Sequence, residues 1–129
     1  MESINVDHIM NMNPCSKYTE DIIIQILKDR FLDRLTIDDV FNLDIDAVDK
    51  IWLLVETDLT TIEQCSRVFK MMCGLIDSES EEYTTYVNKG YIMSYRPIVR
   101  YFLRTTGKPG RQIVSEVESQ ILDFFKVVI

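Results

Sequence analysis

An all-α fold is predicted for this chain, a single-domain compact bundle of about six to seven helices spanning 1–129. Three observations carry that expectation. Apolar residues recur at helical spacing in one segment after another, no hairpin signal or internal repeat interrupts them, and four glycines with three prolines leave little material for long linkers. At 129 residues and 15.1 kDa the chain can bury a core without disulfides or metals.

Residues 1–15 are expected to be poorly ordered. The first predicted helix runs from Ser16 to Leu35, with Ile24, Leu27, Phe31 and Leu35 on one face, Ile23 and Ile26 beside them, and Lys28, Asp29, Asp33 and Arg34 over much of the rest. Its "IIIQI" run is β-branched enough for a buried strand, but its length and the lack of a nearby partner strand favour helix. Thr36 then reads as the N-cap of a short helix in "TIDDVFNL", with aspartates at its positive end. Asp46 is the expected N-cap of the next helix, and Asp49, three positions later, lies where a carboxylate can answer the first turn's unpaired N–H groups. That helix, "KIWLLVE", is apolar around most of its circumference and should be enclosed, with Trp52 as a core anchor.

Thr60-x-x-Glu63 reads as a capping box for a helix carrying Ile62, Cys65, Phe69, Met72, Cys73 and Ile76, and Gly74 as a left-handed C-cap. "DSESEE" leads into a helix that Gly90 should stop. Another starts near Pro97, with Ile98, Val99, Phe102 and Leu103 on one side and Arg96, Arg100 and Arg104 at i, i+4, i+8 on another; "TTGKPG" ends it. The last helix, Arg111 to Ile129, repeats Ile113, Val117, Ile121, Phe124 and Val128, with Val114 and Phe125 alongside.

Composition narrows the function. No apolar run approaches the roughly 20 residues that span a bilayer, and "MESINVDHIMNMN" has neither a basic start nor an apolar core suited to secretion. A cytoplasmic protein with no membrane partner is therefore expected. Cys15, Cys65 and Cys73 cannot all pair within one chain, so reduced thiols are the simpler account. His8 is the single histidine, and neither it nor a cysteine has the spacing of a metal site. Asp38, Asp39, Asp44, Asp46 and Asp49 could crowd a divalent cation, but no Gly-containing calcium loop accompanies them and helix starts collect acids for dipole reasons alone. The four glycines are scattered and make no phosphate loop. No enzyme, cofactor or metal is expected.

The net charge is −7 and the pI about 4.6. Residues 1–82 hold 18 acidic and 7 basic side chains, net −11, and residues 83–129 hold 3 and 7, net +4. Such a split allows either complementary surfaces inside the fold or an acidic face presented to a basic partner. Arg96, Arg100, Arg104, Lys108 and Arg111, interleaved with Tyr95 and Tyr101, form the one feature that resembles a nucleic-acid surface. The whole-chain charge would repel a polyanion, so nucleic acid is not the expected partner.

The stretch 37–73, "IDDVFNLDIDAVDKIWLLVETDLTTIEQCSRVFKMMC", resembles bacterial immunity proteins, the antitoxins of contact-dependent growth inhibition and polymorphic toxin systems. The shared pattern is a short lead ending in "LDI", then "DK-[IL]-W-x-L", an acidic turn and a second helix with a cysteine near its middle. Val40, Leu43, Asp44, Ile45, Asp49, Lys50, Trp52, Leu54, Leu59 and Cys65 match it. The resemblance implies a small inhibitor that binds and neutralises a cognate toxin domain by protein–protein contact. If that toxin is a basic ribonuclease, acidic side chains can occupy the surface made for RNA phosphates. Charge and expected exposure, rather than the family pattern, nominate Asp38, Asp39, Asp44, Asp46, Asp58, Glu79, Glu81 and Glu82 as contact residues. The competing expectation is a virus-encoded helical bundle resembling the Bcl-2 group, which would bind host signalling or apoptosis proteins through a hydrophobic groove.

Overall fold

The computed structural model describes residues 2–129. Eight α-helices and no strand occur among them, so the all-α expectation holds and the helix count is slightly higher than predicted. By its internal contacts the chain divides into two compact units, Met1–Thr60 and Thr61–Ile129.

In the first unit, α1 is Val6–Asn11, inside the segment expected to be poorly ordered. Local and distant contacts both fix it. Asn5 and His8 exchange hydrogen bonds in a capping box, with the Asn5 N–H donating to His8 Nδ1 (3.2 Å) and the His8 N–H to Asn5 Oδ1 (3.0 Å). Ile4 and Leu35, both buried, pair in an isolated antiparallel bridge, and the Arg34 guanidinium donates to Ser3 Oγ (2.7 Å) and Ser3 O (3.1 Å).

Helix α2 is Glu20–Asp29, shorter at both ends than the periodicity suggests. Thr19 Oγ1 accepts from the Ile22 N–H and sets the start. At the other end the Phe31 N–H donates to Lys28 O and the Leu32 N–H to Leu27 O, the paired bonds of a Schellman cap, with Phe31 at φ 58° in the left-handed position. Ile23 and Leu27 are buried, whereas Phe31 is 98% exposed; the expected face ends where the backbone reverses.

Thr36 caps α3, Ile37–Asn42, as expected, and Asp39 completes a capping box with it. Helix α4 is Ala47–Glu56, and Ile51, Leu53 and Leu54 are buried, while Trp52, expected as a core anchor, is half-buried. Thr57 and Thr60, both buried, donate their hydroxyls to Leu53 O and Leu54 O and so satisfy carbonyls at the helix end.

In the second unit, α5 is Ile62–Cys73, α6 Glu81–Lys89, α7 Arg96–Thr106 and α8 Gly110–Val128. Helix α5 packs on α8, α6 on α7, and α7 on α8. The α5 capping box is Thr61 with Gln64 rather than Thr60 with Glu63, because the Thr60 hydroxyl is turned to Leu54 O. Ile62, expected on the buried face, is exposed; Met72 and Ile76 are buried as expected, and Val68 is buried with them. Gly74 ends α5 in right-handed conformation (φ −70°), not the left-handed one expected. Gly90 and Gly107 do end α6 and α7 at positive φ. Ile113, Val117, Ile121, Phe125 and Val128 line the buried side of α8, so Phe125 takes the place expected for Phe124.

Candidate functional site

The acids of "LDIDAVDK" take a role different from the capping that their spacing predicts. Asp46 stands at the N-cap of α4, yet its side chain makes no capping bond. Its Oδ2 accepts from Lys17 Nζ (2.9 Å), and Asp49 Oδ2 accepts from the same ammonium (3.3 Å) and from the Tyr18 hydroxyl (2.5 Å). The pair Lys17–Tyr18, just before α2, is thereby stitched to the first turn of α4. The two carboxylates hold Lys17 firmly protonated, Asp46 contributing most. Burial and then the bond to Asp49 push the Tyr18 hydroxyl up to about 12. Neither Lys17 nor Tyr18 could be found from the sequence, since each lies about thirty positions from its partner with no local pattern to join them.

Five of the eight nominated contact residues belong to the first unit. Asp38 and Asp44 are exposed, and their carboxylates have no hydrogen bond or ion pair among the described residues. Asp39 is half-buried and committed to Thr36, whose N–H (2.9 Å) and hydroxyl (3.0 Å) it accepts. Asp46 keeps 73% of its side chain exposed despite Lys17, and Asp58 is exposed. The other three belong to the second unit. Glu79 and Glu81 are exposed, whereas the Glu82 side chain is 16% exposed and accepts from Arg104 Nε at 2.8 Å. That guanidinium, with the backbone next in weight, holds the Glu82 carboxyl below the usual glutamate range.

The same bond answers part of the question posed by the arginine row. Arg96 and Arg100 are exposed on α7 without ion pairs among the described residues, but Arg104 is spent on Glu82 and lies over the Tyr101 ring at 5.4 Å. Lys108 is paired with Glu116 (3.3 Å). Two of the five cations are thus internal partners of acids.

Charge divides unevenly. Residues 1–60 hold 13 acidic and 5 basic side chains, net −8, and residues 61–129 hold 8 and 9, net +1. Among the described residues no three His, Cys, Asp or Glu side chains are grouped to hold a metal ion, and no helix is long and apolar enough to cross a membrane. The second unit contains a groove of about 230 Å³ lined by Leu75, Phe102, Ile113 and Val117, with Lys108, Glu116 and Gln120 around them. It has room for a side chain rather than for the row of i, i+3, i+7 anchors by which an amphipathic helix binds. Compared with protein-family models, curated proteins and solved structures, the chain finds no match.

Proposed function

We propose that the chain is an immunity protein that binds a cognate toxin domain and neutralises it through the acidic surface of its first unit. The observation that carries this reading is the charge of that unit, net −8, with the Asp38 and Asp44 carboxylates exposed and uncommitted. The likeness of residues 37–73 to immunity proteins points the same way. A basic nuclease built to hold RNA phosphates presents the complementary field, and exposed carboxylates on the inhibitor speed its approach and exclude the substrate by occupying the same surface.

The test is co-expression with the toxin-like C-terminal domain encoded immediately upstream of this gene, read as cell survival and as co-purification. Rescue of growth together with a stoichiometric complex supports the reading. Absence of such a neighbour, or failure to form a complex at moderate salt, refutes it.

A further inference from the structure

Among the described residues three helices open with a capping box, and in one of them the acceptor is an imidazole. In α3 and α5 the third helical residue offers an oxygen, Asp39 to the Thr36 N–H at 2.9 Å and Gln64 to the Thr61 N–H at 2.9 Å. In α1 that residue is His8, whose Nδ1 accepts from the Asn5 N–H at 3.2 Å while its own N–H donates to Asn5 Oδ1 at 3.0 Å.

A ring nitrogen that accepts must be bare, so the neutral His8 carries its proton on Nε2. A second proton can enter only at Nδ1, and it turns both nitrogens into donors. The Asn5 N–H would then face another N–H, and the box would lose one of its two bonds. The same proton sets a cation in the first turn, at the positive end of the helix dipole. Imidazole is the side chain whose charge ordinarily changes between pH 5 and 8, and His8 is the single histidine of the chain. The charged groups around it are Glu2 and Asp7 on its own segment and Glu20, Asp21, Lys28 and Asp29 on α2, the helix packed against α1. All are exposed, none pairs with the imidazole among the described residues, and Asp29 already accepts from Gln25 at 2.7 Å.

Helix α1 has six residues and buries Ile9, too little to keep so short a helix formed once its end is open. The Ile4–Leu35 bridge anchors the chain immediately before the box through N–H to O bonds of 2.9 and 2.8 Å, and no titrating group takes part in it. We propose that the box is a proton-sensitive latch: protonation of His8 removes the acceptor, and α1 loosens from α2 as pH falls from 8 to 5, exposing Ile9. The closed box holds the neutral ring alone, so closure is complete at the high end of that range and is lost on acidification. No partner is needed, so the latch and the toxin-binding reading stand or fall separately.

Amide hydrogen exchange of the full chain, followed by NMR at pH 5 and pH 8 and divided by each amide's intrinsic rate, tests the latch. The Asn5 N–H, bonded to His8, and the Ile9 N–H, which donates to Asn5 O at 3.2 Å, should each lose about fivefold in protection at the lower pH, as loss of a capping bond of ordinary strength does. The Thr61 N–H should not change, because its acceptor is an amide oxygen. His8→Gln puts the same kind of acceptor in α1 and should hold Asn5 and Ile9 equally protected at both pH values. Nitrogen-15 shifts of the wild-type imidazole should place its proton on Nε2 at the higher pH. Unchanged protection of Asn5 and Ile9 in the wild type, an equal loss in His8→Gln, or a neutral ring protonated on Nδ1 overturns the proposal.

Discussion

The Tyr86 hydroxyl is fully buried and has no hydrogen-bond partner among the described residues, although its ring stacks on Phe69 at a centroid separation of 4.8 Å. The ring stabilises the second unit and the oxygen costs it, since a buried unsatisfied hydroxyl forfeits its hydration. Tyr86→Phe keeps the stack and removes the oxygen, and it should raise unfolding free energy by about 1 kcal/mol in urea titrations. Tyr95 is the contrasting case because its hydroxyl donates to Glu118. Tyr18 gives a pH test in the first unit. Its pKa is raised from 10 to about 12, so the stability it contributes is complete below pH 10 and is lost as pH rises through 12. Phenolate absorbance should show one tyrosine ionising near 12, and Asp49→Asn should lower that value while leaving the burial contribution. None of these three tyrosines' roles was legible in the sequence. Aromatic residues at helical spacing predict burial, but whether a hydroxyl finds a partner depends on a residue tens of positions away.

Helices were more legible than their ends, and the reason is physical. Periodicity accumulates over three or more turns, so the segments carrying α5, α7 and α8 stand out, whereas a boundary turns on one or two side chains that can bond in more than one direction. Thr60 and Thr61 illustrate this. Both begin an acceptable capping box, Thr60 with Glu63 and Thr61 with Gln64, and tertiary burial of Thr60 against Leu54 O leaves the cap to Thr61. Thr61→Ala should therefore cost about 1 kcal/mol in thermal unfolding followed by circular dichroism, the usual loss for an N-cap threonine. The first-turn acids of α4 show the same limit. Spacing suits Asp46 and Asp49 to capping, but the Lys17 ammonium takes an oxygen of each, a charged donor making the stronger bond, and the Tyr18 hydroxyl adds a bond to Asp49. At α2 the apolar period continues through Phe31 and Leu35 while the backbone turns left-handed at Phe31, a reversal that no periodicity reports.

At the scale of the whole chain, the sequence revealed the acidic excess but not which acids are available. Asp39, Asp46 and Glu82 are committed to contacts within their own units, to Thr36, to Lys17 and to Arg104, while Asp38 and Asp44 are not committed. This sorts the nominated residues into two experimental classes. Reversing a committed carboxylate changes the fold's own contacts, so Asp39→Lys should lower the melting temperature by removing the α3 capping box. Reversing an uncommitted one changes only the external field. Asp38→Lys with Asp44→Lys shifts the first unit from net −8 to −4 without breaking a contact among the described residues. Against a basic toxin domain, the double variant should keep the wild-type melting temperature and lose about tenfold in association rate at low salt, the low end of electrostatic steering. Added salt should narrow that gap, since exposed charges are screened over a Debye length of about 8 Å at physiological ionic strength. Stopped-flow association across a salt series measures both effects. A rate equal to wild type at low salt would remove these two aspartates from the interface and leave Glu79 and Glu81, exposed acids of the second unit, as the next positions to reverse.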